Sequence, residues 1–435
     1  MKSVNIGICG LGTVGSGTFN VLARNGALIN ARAGCDIKVS VVGARRDNAS
    51  CDTAEVVVER DIFALTSRPD VDIIVELIGG TTTAKDLVLQ AIANGKHVVT
   101  ANKALIAEYG NEIFAAAEQQ GVSVAYEAGV AGGIPIIKAL REGLSANKIE
   151  WLAGIINGTG NFILTEMRDK GRDFADVLAE AQALGYAEAD PAFDVEGTDA
   201  AHKLVILASI AFGMPLRFDA VFTEGITDIQ PEDVVYAEEL GYRIKHLGIA
   251  KQRAEGVELR VHPTLIPERQ LIAQVNGVMN AVMVKGDAVG PTLYYGAGAG
   301  AEPTASAVVA DIVDVARSIG SSAENCVPAL GFSSDSIIDP GVLDIADIES
   351  AYYLRAAVLD QPGVLSSVAQ IMSQRGISIE AIIQKEPPAG ASDVPLIMLT
   401  NTTREQNLRD AVEEIEALAS VNGSVVKIRL ESLDT

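Results

Sequence analysis

Cysteine is scarce in this 435-residue chain. Cys9, Cys35, Cys51 and Cys326 form no Cys-x-x-Cys pair and show no metal-ligand spacing. They read as reduced thiols of a cytoplasmic protein. Histidine is equally sparse: His97, His202, His246 and His262 are scattered, and no zinc site is expected. No apolar run approaches the ~20 residues of a membrane span, and the first strand begins at once, without the apolar core of a signal peptide. Basic charge is in deficit. With 34 Lys and Arg against 57 Asp and Glu the net charge is −23, which argues against nucleic acid as a partner. An anionic cofactor is not excluded, because local basic groups and backbone N–H groups can outweigh the global field.

What is present is a well-packed globular composition, 48% hydrophobic, with a mean hydropathy of +0.25. The length predicts two or three domains. Val4–Cys9 reads as a buried strand that runs into Gly10-Leu11-Gly12-Thr13-Val14-Gly15 and then a helix. This strand–turn–helix setting is what a dinucleotide-binding Gly-x-Gly-x-x-Gly motif requires. Gly10 permits the tight turn, Gly12 the approach of a pyrophosphate, and Gly15 close packing of helix on strand. The anion would sit on the helix N-terminus.

A second strand, Ile37–Val42, ends in Gly43-Ala44-Arg45-Arg46, with no acid for the ribose hydroxyls. Asp36 is at the wrong end. Arg45 and Arg46 stand where a 2′-phosphate would lie, favouring NADPH over NADH, although neighbouring Asp47 blurs the reading. Strands then alternate with helices through residue 127, implying a parallel sheet covered on both faces. Thr81, Thr100, Asn102 and Lys103 follow strand ends, where such sheets bind ligands. The loop Ala128–Pro135, beside Glu127, reads either as a hinge or as inward-turned carbonyls able to hold a small cation.

A helix at Pro135–Leu144, a strand at Ile149–Ile156 and a polar glycine turn at Asn157–Phe162 open the next domain. Five carboxylates gather at Glu188, Asp190, Asp194, Glu196 and Asp199, either as an acidic surface loop or as a site for a cationic group. Thr198–Phe212 becomes almost wholly apolar after its first turn and should be buried. Asp199 and Lys203 share one face. They form either a surface ion pair or a pair lining a cavity. Val257–Ile266, Val282–Lys285 and Leu293–Tyr295 read as strands. Gly296–Gly300 precedes a helix over Thr304–Ile319 that could return to the first domain. Residues 321–349 read as a linker. From 350 the order βαββαβ is ferredoxin-like.

These residues together resemble the homoserine dehydrogenase family, in its monofunctional form with a C-terminal ACT domain. The motifs are Gly10–Gly15, Thr100–Lys103, Glu127–Pro135, Asn157–Asn161, Gly185–Pro191, Asp199–Lys203 and the ACT-like turn Asp360–Leu365. The run Gly185–Lys203 is the most specific. With no kinase-like segment before Met1, the form fused to aspartokinase is not expected. The resemblance implies an α/β architecture: a Rossmann dinucleotide-binding domain at 1–134, joined by the helix at 304–319; an α+β substrate and dimerisation domain at 135–320; a linker at 321–349; and a ferredoxin-like ACT domain at 350–435. It implies NAD(P)-dependent interconversion of L-homoserine and L-aspartate 4-semialdehyde, on the route to threonine and methionine. Lys203 and Lys103 flank the reacting carbon, with Asp199 counted in the catalytic set. Glu188, Asp199 and Asp194 hold the substrate. Gly10, Leu11, Gly12, Thr13, Val14, Gly15, Arg45, Thr81, Thr100, Lys103, Gly185 and Gly300 serve the cofactor, NADP. Glu127, Val130, Gly132 and Ile134 match a family sodium site, which raises the cation reading of that loop above the hinge. L-threonine is the expected effector at the ACT domain, and cutting the chain near Glu349 is expected to leave activity while abolishing inhibition. A homodimer or homotetramer is expected. An aldehyde-oxidising semialdehyde dehydrogenase would need a nucleophilic cysteine in a substrate loop, and none is placed there. A catalytically silent sensor would not need Lys103, Glu188, Asp199 and Lys203.

Overall fold

The computed structural model describes residues 3–319, 327–385 and 393–433. The chain divides into two compact units, the first made of Met1–Gly158, Asp199–Val221 and Val278–Pro340, the second of Thr159–Thr198, Phe222–Gly277 and Gly341–Thr435.

In the first unit six strands form one sheet in the order Val57–Glu59, Asp36–Gly43, Ser3–Cys9, Ile73–Glu76, His97–Thr100, Val124–Ala125. All neighbours are parallel. The order reverses beside Ser3–Cys9, so the ligand crevice of such a sheet opens at the carboxyl end of that strand. Successive side chains of a strand point to opposite faces. Val4, Ile6 and Ile8 therefore enter one core with Phe19 and Leu22 of the helix Thr13–Ala33 and Val308 and Ile312 of the helix Ala301–Ser318. Cys9, Ile74 and Val98 enter the other, under the helices Thr82–Ala93 and Lys103–Gln120. The two helices of the first face meet where a Cβ on Gly17 would come within 2.5 Å of the Ala301 carbonyl oxygen. The same unit holds three antiparallel strands, Ile149–Ile155, Met279–Gly286 and Gly290–Ala297, and all but the first residue of the buried helix Thr198–Phe212.

Two local readings change. The span 135–144 is not one regular helix: a single turn, Ile136–Lys138, passes into a wider π-type turn, Ala139–Gly143. Asn157–Phe162 is not a turn, because a helix, Gly158–Lys170, starts inside it. Glycine is needed at 158 since a Cβ there would meet the Val278 carbonyl oxygen at 2.7 Å.

The second unit contains a strand that sequence patterning does not reveal, Tyr242–Gln252, paired antiparallel with Val257–Pro267. Its middle is buried on both faces and includes Lys245 and His246, so the alternation that marks a half-exposed strand is missing. Lys245 donates to the Val275 carbonyl at 2.5 Å, and burial drops its ammonium to about 7.

The C-terminal part has strands in the order Val421–Leu430, Glu349–Leu359, Asp393–Thr400, Ile379–Gln384, all antiparallel. One face packs under the helices Val364–Gln374 and Glu405–Glu416. The opposite face supplies Tyr353, Ile397, Leu399 and Ile428 to a core shared with Phe162, Val234 and Leu265. Val421–Leu430 also pairs in parallel with Val257–Pro267 through Thr264 and Arg429. Buried charges cross the same junction. Arg429 donates to Glu405 at 2.8 and 2.9 Å and to Glu224 at 2.9 Å. Arg260 bridges Glu258 and Glu431. Arg355 and the Tyr353 hydroxyl both donate to Asp233.

Candidate active site

The glycine turn comes first. Gly10 has φ +103°, and a Cβ there would meet the Leu77 carbonyl oxygen at 2.7 Å. A Cβ on Gly15 would lie 2.0 Å from the Gly10 carbonyl oxygen, whereas one on Gly12 would meet nothing within 4 Å. Gly10 and Gly15 are thus fixed by the protein itself, and Gly12 leaves an open approach. The helix Thr13–Ala33 starts from Gly12 with no side-chain cap and no acidic residue in its first turn. Its first N–H groups suit a pyrophosphate, so these residues fit a dinucleotide. Leu11 is buried and its carbonyl accepts from Asn48 at 2.7 Å, while Thr13 is exposed and Val14 half-buried.

Arg45 and Arg46 are exposed after the second strand. Sequence reading overlooks a third basic group, Arg60, which donates to the Ala44 carbonyl at 3.0 Å and to Asp47 at 2.7 Å. The acid that clouds the cofactor reading is therefore held by a cation of its own.

Glu76 is another group that sequence reading passes over. Buried at the end of its strand, it accepts from Ile78 N–H at 2.9 Å and Gly79 N–H at 3.3 Å, and from the Thr100 hydroxyl at 2.6 Å. Asn102 donates to the Gly80 carbonyl at 2.6 Å. These bonds hold the turn before Thr81, where Gly79 and Gly80 both have positive φ. Thr100 is fully buried, so its hydroxyl supports the loop from beneath and does not face a ligand.

Asn102 also caps the helix Lys103–Gln120 by accepting from Leu105 N–H. Lys103 is the first residue of that helix. Its Nζ lies 2.8 Å from Asp199 Oδ1. Lys203, one turn after Asp199, donates to Asp199 Oδ2 and to the Ile156 carbonyl, both at 2.7 Å. Asn157 Nδ2 donates to Asp199 Oδ2 at 2.8 Å. Burial opposes ionisation of Asp199, but Lys203 and Lys103 overcome it and hold the carboxyl well below the usual range. The pair is not a surface ion pair: Asp199 is 3% exposed. The His202 ring lies 4.2 Å from that of Phe218, tilted by 39°, and 3.5 Å from Glu108. Burial, with Lys103 adding to it, lowers its imidazolium to about 4, so it is neutral near pH 7.

At the loop after Val124–Ala125, Glu127 accepts from Ile137 N–H at 2.9 Å and Lys138 N–H at 2.7 Å, and its own N–H donates to Asp311 at 2.8 Å. Burial pushes Glu127 up to about 7, and burial together with Glu127 pushes Asp311 well above its ordinary value. Val130, Gly132 and Ile134 are buried beside them, and Ala131 has φ +50°. Among the described residues no three His, Cys, Asp or Glu side chains could hold a metal ion. A cation here would rest on backbone carbonyls beside one carboxylate. Glu127 and Asp311 are two buried carboxyl groups at this loop.

Gly300, exposed with φ +127°, precedes the uncapped helix Ala301–Ser318. Gly185, Glu188 and Asp194 belong to the second unit. Glu188 is exposed and its carbonyl accepts from Gln182 at 3.0 Å. Asp194 is half-buried in the short helix Ala192–Val195. Cys9, Cys35 and Cys51 are free and buried, and burial pushes the thiols of Cys9 and Cys51 up, opposite to what a nucleophile needs. Cys326 lies outside the described residues. Among those residues no helix is long and apolar enough to cross a membrane.

Three family models match the chain: "Homoserine dehydrogenase, NAD binding domain" at 10–127, "Homoserine dehydrogenase" at 135–313 and "ACT domain" at 352–420. The homoserine dehydrogenase of Pseudomonas aeruginosa is 64% identical over 434 residues, covering 100% of both chains. This chain belongs to the homoserine dehydrogenase family. The family member from Neisseria gonorrhoeae is 54% identical, again over 100% of both chains. The crystal structure of a homoserine dehydrogenase from Thiobacillus denitrificans superposes with a TM-score of 0.94 at 59% identity, covering 100% of this chain and 99% of that one. A hyperthermophilic archaeal homoserine dehydrogenase in complex with NADPH matches 72% of this chain and 97% of its own, with a TM-score of 0.62 at 26% identity. The chain is thus an NAD(P)-dependent oxidoreductase acting on a CH–OH group, converting L-aspartate 4-semialdehyde and L-homoserine into one another. Its C-terminal ACT domain is consistent with regulation.

Proposed function

We propose that Lys203 and Lys103 carry the proton chemistry of homoserine dehydrogenation. The observation that supports this is the pair of ammonium groups on one buried carboxylate, Asp199. In the reducing direction a nicotinamide cofactor, when bound, would supply a hydride to the aldehyde carbon. The carbonyl electron pair moves to oxygen, an ammonium stabilises the charge that develops, and one ammonium proton completes the hydroxyl. In the oxidising direction a neutral lysine takes that proton back. Asp199 serves the two lysines. Each of its oxygens meets an ammonium, and a carboxylate keeps further acceptor sites, so Asp199 stays with Glu188 and Asp194 in the substrate set.

NADPH is the preferred cofactor, held by the Gly10–Gly15 turn and by Arg45 and Arg46, with Thr81, Gly185 and Gly300 completing the cofactor set. A sodium ion sits at Glu127 with the Val130, Gly132 and Ile134 segment. The effector is L-threonine, bound at the turn Asp360–Leu365, where a cavity of about 320 Å³ is also lined by Gln384 and Leu396. The enzyme is a cytoplasmic homodimer or homotetramer. The test of the central reading is homoserine-dependent formation of NADPH by the purified protein and by Lys203→Ala and Lys103→Ala. Near-wild-type kcat in both folded variants would remove the lysines from the chemistry.

A further inference from the structure

Asn157 has no role in the chemistry above, yet the residue is 5% exposed and its side chain touches the carboxylate between the two lysines. It follows the strand Ile149–Ile155, whose end grips the helix Thr198–Phe212 twice. The Ile156 carbonyl accepts from Lys203 Nζ at 2.7 Å, and Asn157 Nδ2 donates to Asp199 Oδ2 at 2.8 Å. Oδ2 thereby takes two donors, and Oδ1 faces Lys103 at 2.8 Å.

A carboxylate turns about its last torsion with little resistance, because that torsion is broad and two-fold. One ammonium does not fix its plane; two donors on one oxygen from different directions do. The two lysines would respond differently to a rotation. Lys203 is one turn along the same helix and can follow Asp199. Lys103 comes from the start of another helix, and its side chain is 32% exposed against 12% for Lys203, so water would replace the lost carboxylate. The amide also supplies a donor without a third positive charge beside two ammonium groups.

We propose that Asn157 is a positioning residue that sets the plane of the Asp199 carboxylate so that Lys103 and Lys203 are held at once. The proposal rests on the reading that both lysines act at the substrate's oxygen. It makes Asn157 act through Lys103, and this gives the test. Steady-state kinetics would be measured for Asn157→Ala, Lys103→Ala and the double variant, with NADPH affinity by fluorescence titration and folding by circular dichroism.

The expected result is a kcat lowered roughly 10–100-fold in Asn157→Ala, with the KM for homoserine and the NADPH affinity within about twofold. In the Lys103→Ala background the same change should lower kcat by less than about threefold, because groups that act as one unit are not additive. Asn157→Ser, whose hydroxyl is too short to reach Asp199, should behave as Asn157→Ala and serves if the latter does not fold. Additive losses, an unchanged kcat, or equal losses in kcat and NADPH affinity would each overturn the proposal. Failure of the lysine reading itself would appear separately, as unchanged kcat in the single lysine variants.

Discussion

Lys203 and Glu127 are both ionisable groups inside the first unit, and burial sets them different tasks. Lys203 keeps two oxygen partners at 2.7 Å. Lys203→Ala should lower kcat by ~10²–10⁴ with little change in NADPH binding; stopped-flow reduction of the aldehyde and a binding titration would check both halves. Glu127 instead sits near neutrality, at about 7. Its folded value is raised, so the stability present below its ordinary value is lost as pH rises from there through about 7. A sodium ion at this loop would bind the ionised carboxylate and would have to displace that proton. Sodium chloride should therefore raise the melting temperature more at pH 8 than at pH 6, relative to choline chloride at equal ionic strength, and Glu127→Gln should abolish the difference. Equal melting curves in the two salts at both pH values would remove the cation from this loop.

At the scale of elements, the strand–turn–helix at the start of the chain is legible because its glycines answer separate steric demands, each visible in the spacing. The loop after Asp36–Gly43 is less legible. Sequence order shows Arg45, Arg46 and Asp47 side by side but not Arg60, which reaches Asp47 from just after the strand Val57–Glu59. With Asp47 held, Arg45→Ala should weaken NADPH by about 1–3 kcal/mol and leave NADH nearly unchanged. Comparing kcat/KM for both cofactors decides it, and equal losses would reject the assignment. The Asp199–Lys203 pairing is readable from a four-residue spacing on one helix. Its third and fourth partners, Lys103 and Asn157, come from other elements at long sequence separation, where periodicity carries no information. The strand Tyr242–Gln252 escapes notice for the opposite reason. Burial on both faces erases its alternation, and buried Lys245 and His246 make it look exposed.

At the scale of the whole molecule, the ACT segment has its own core and is also built into the second unit. Cutting near Glu349 would expose Leu265 and Val234, remove Arg355 from Asp233 and Glu431 from Arg260, and strip Glu224 of Arg429. Leaving a buried charge without its partner costs about 3–5 kcal/mol. The truncated chain should therefore lose folding along with regulation, contrary to the expectation from sequence, and a point change is the sounder probe. Asp360→Ala removes a carboxylate from the 320 Å³ cavity and should raise the threonine concentration needed for half-inhibition by roughly 10-fold or more. Inhibition curves at fixed homoserine would measure it, and an unchanged midpoint would place the effector elsewhere.

The parallel pairing of Val421–Leu430 with Val257–Pro267 has a consequence for how the molecule opens. Two strands of one sheet that share buried arginines cannot part without exposing those charges, so their amides belong to one foldon. The boundary that family models draw near residue 352 would then be invisible to native-state hydrogen exchange. Slow amides in both strands should report the same opening free energy and the same response to denaturant, and a protease acting on the open form should release no stable C-terminal fragment. Exchange of Val421–Leu430 through a separate, lower-energy opening would show instead that the ACT segment detaches while the strand beside it stays folded.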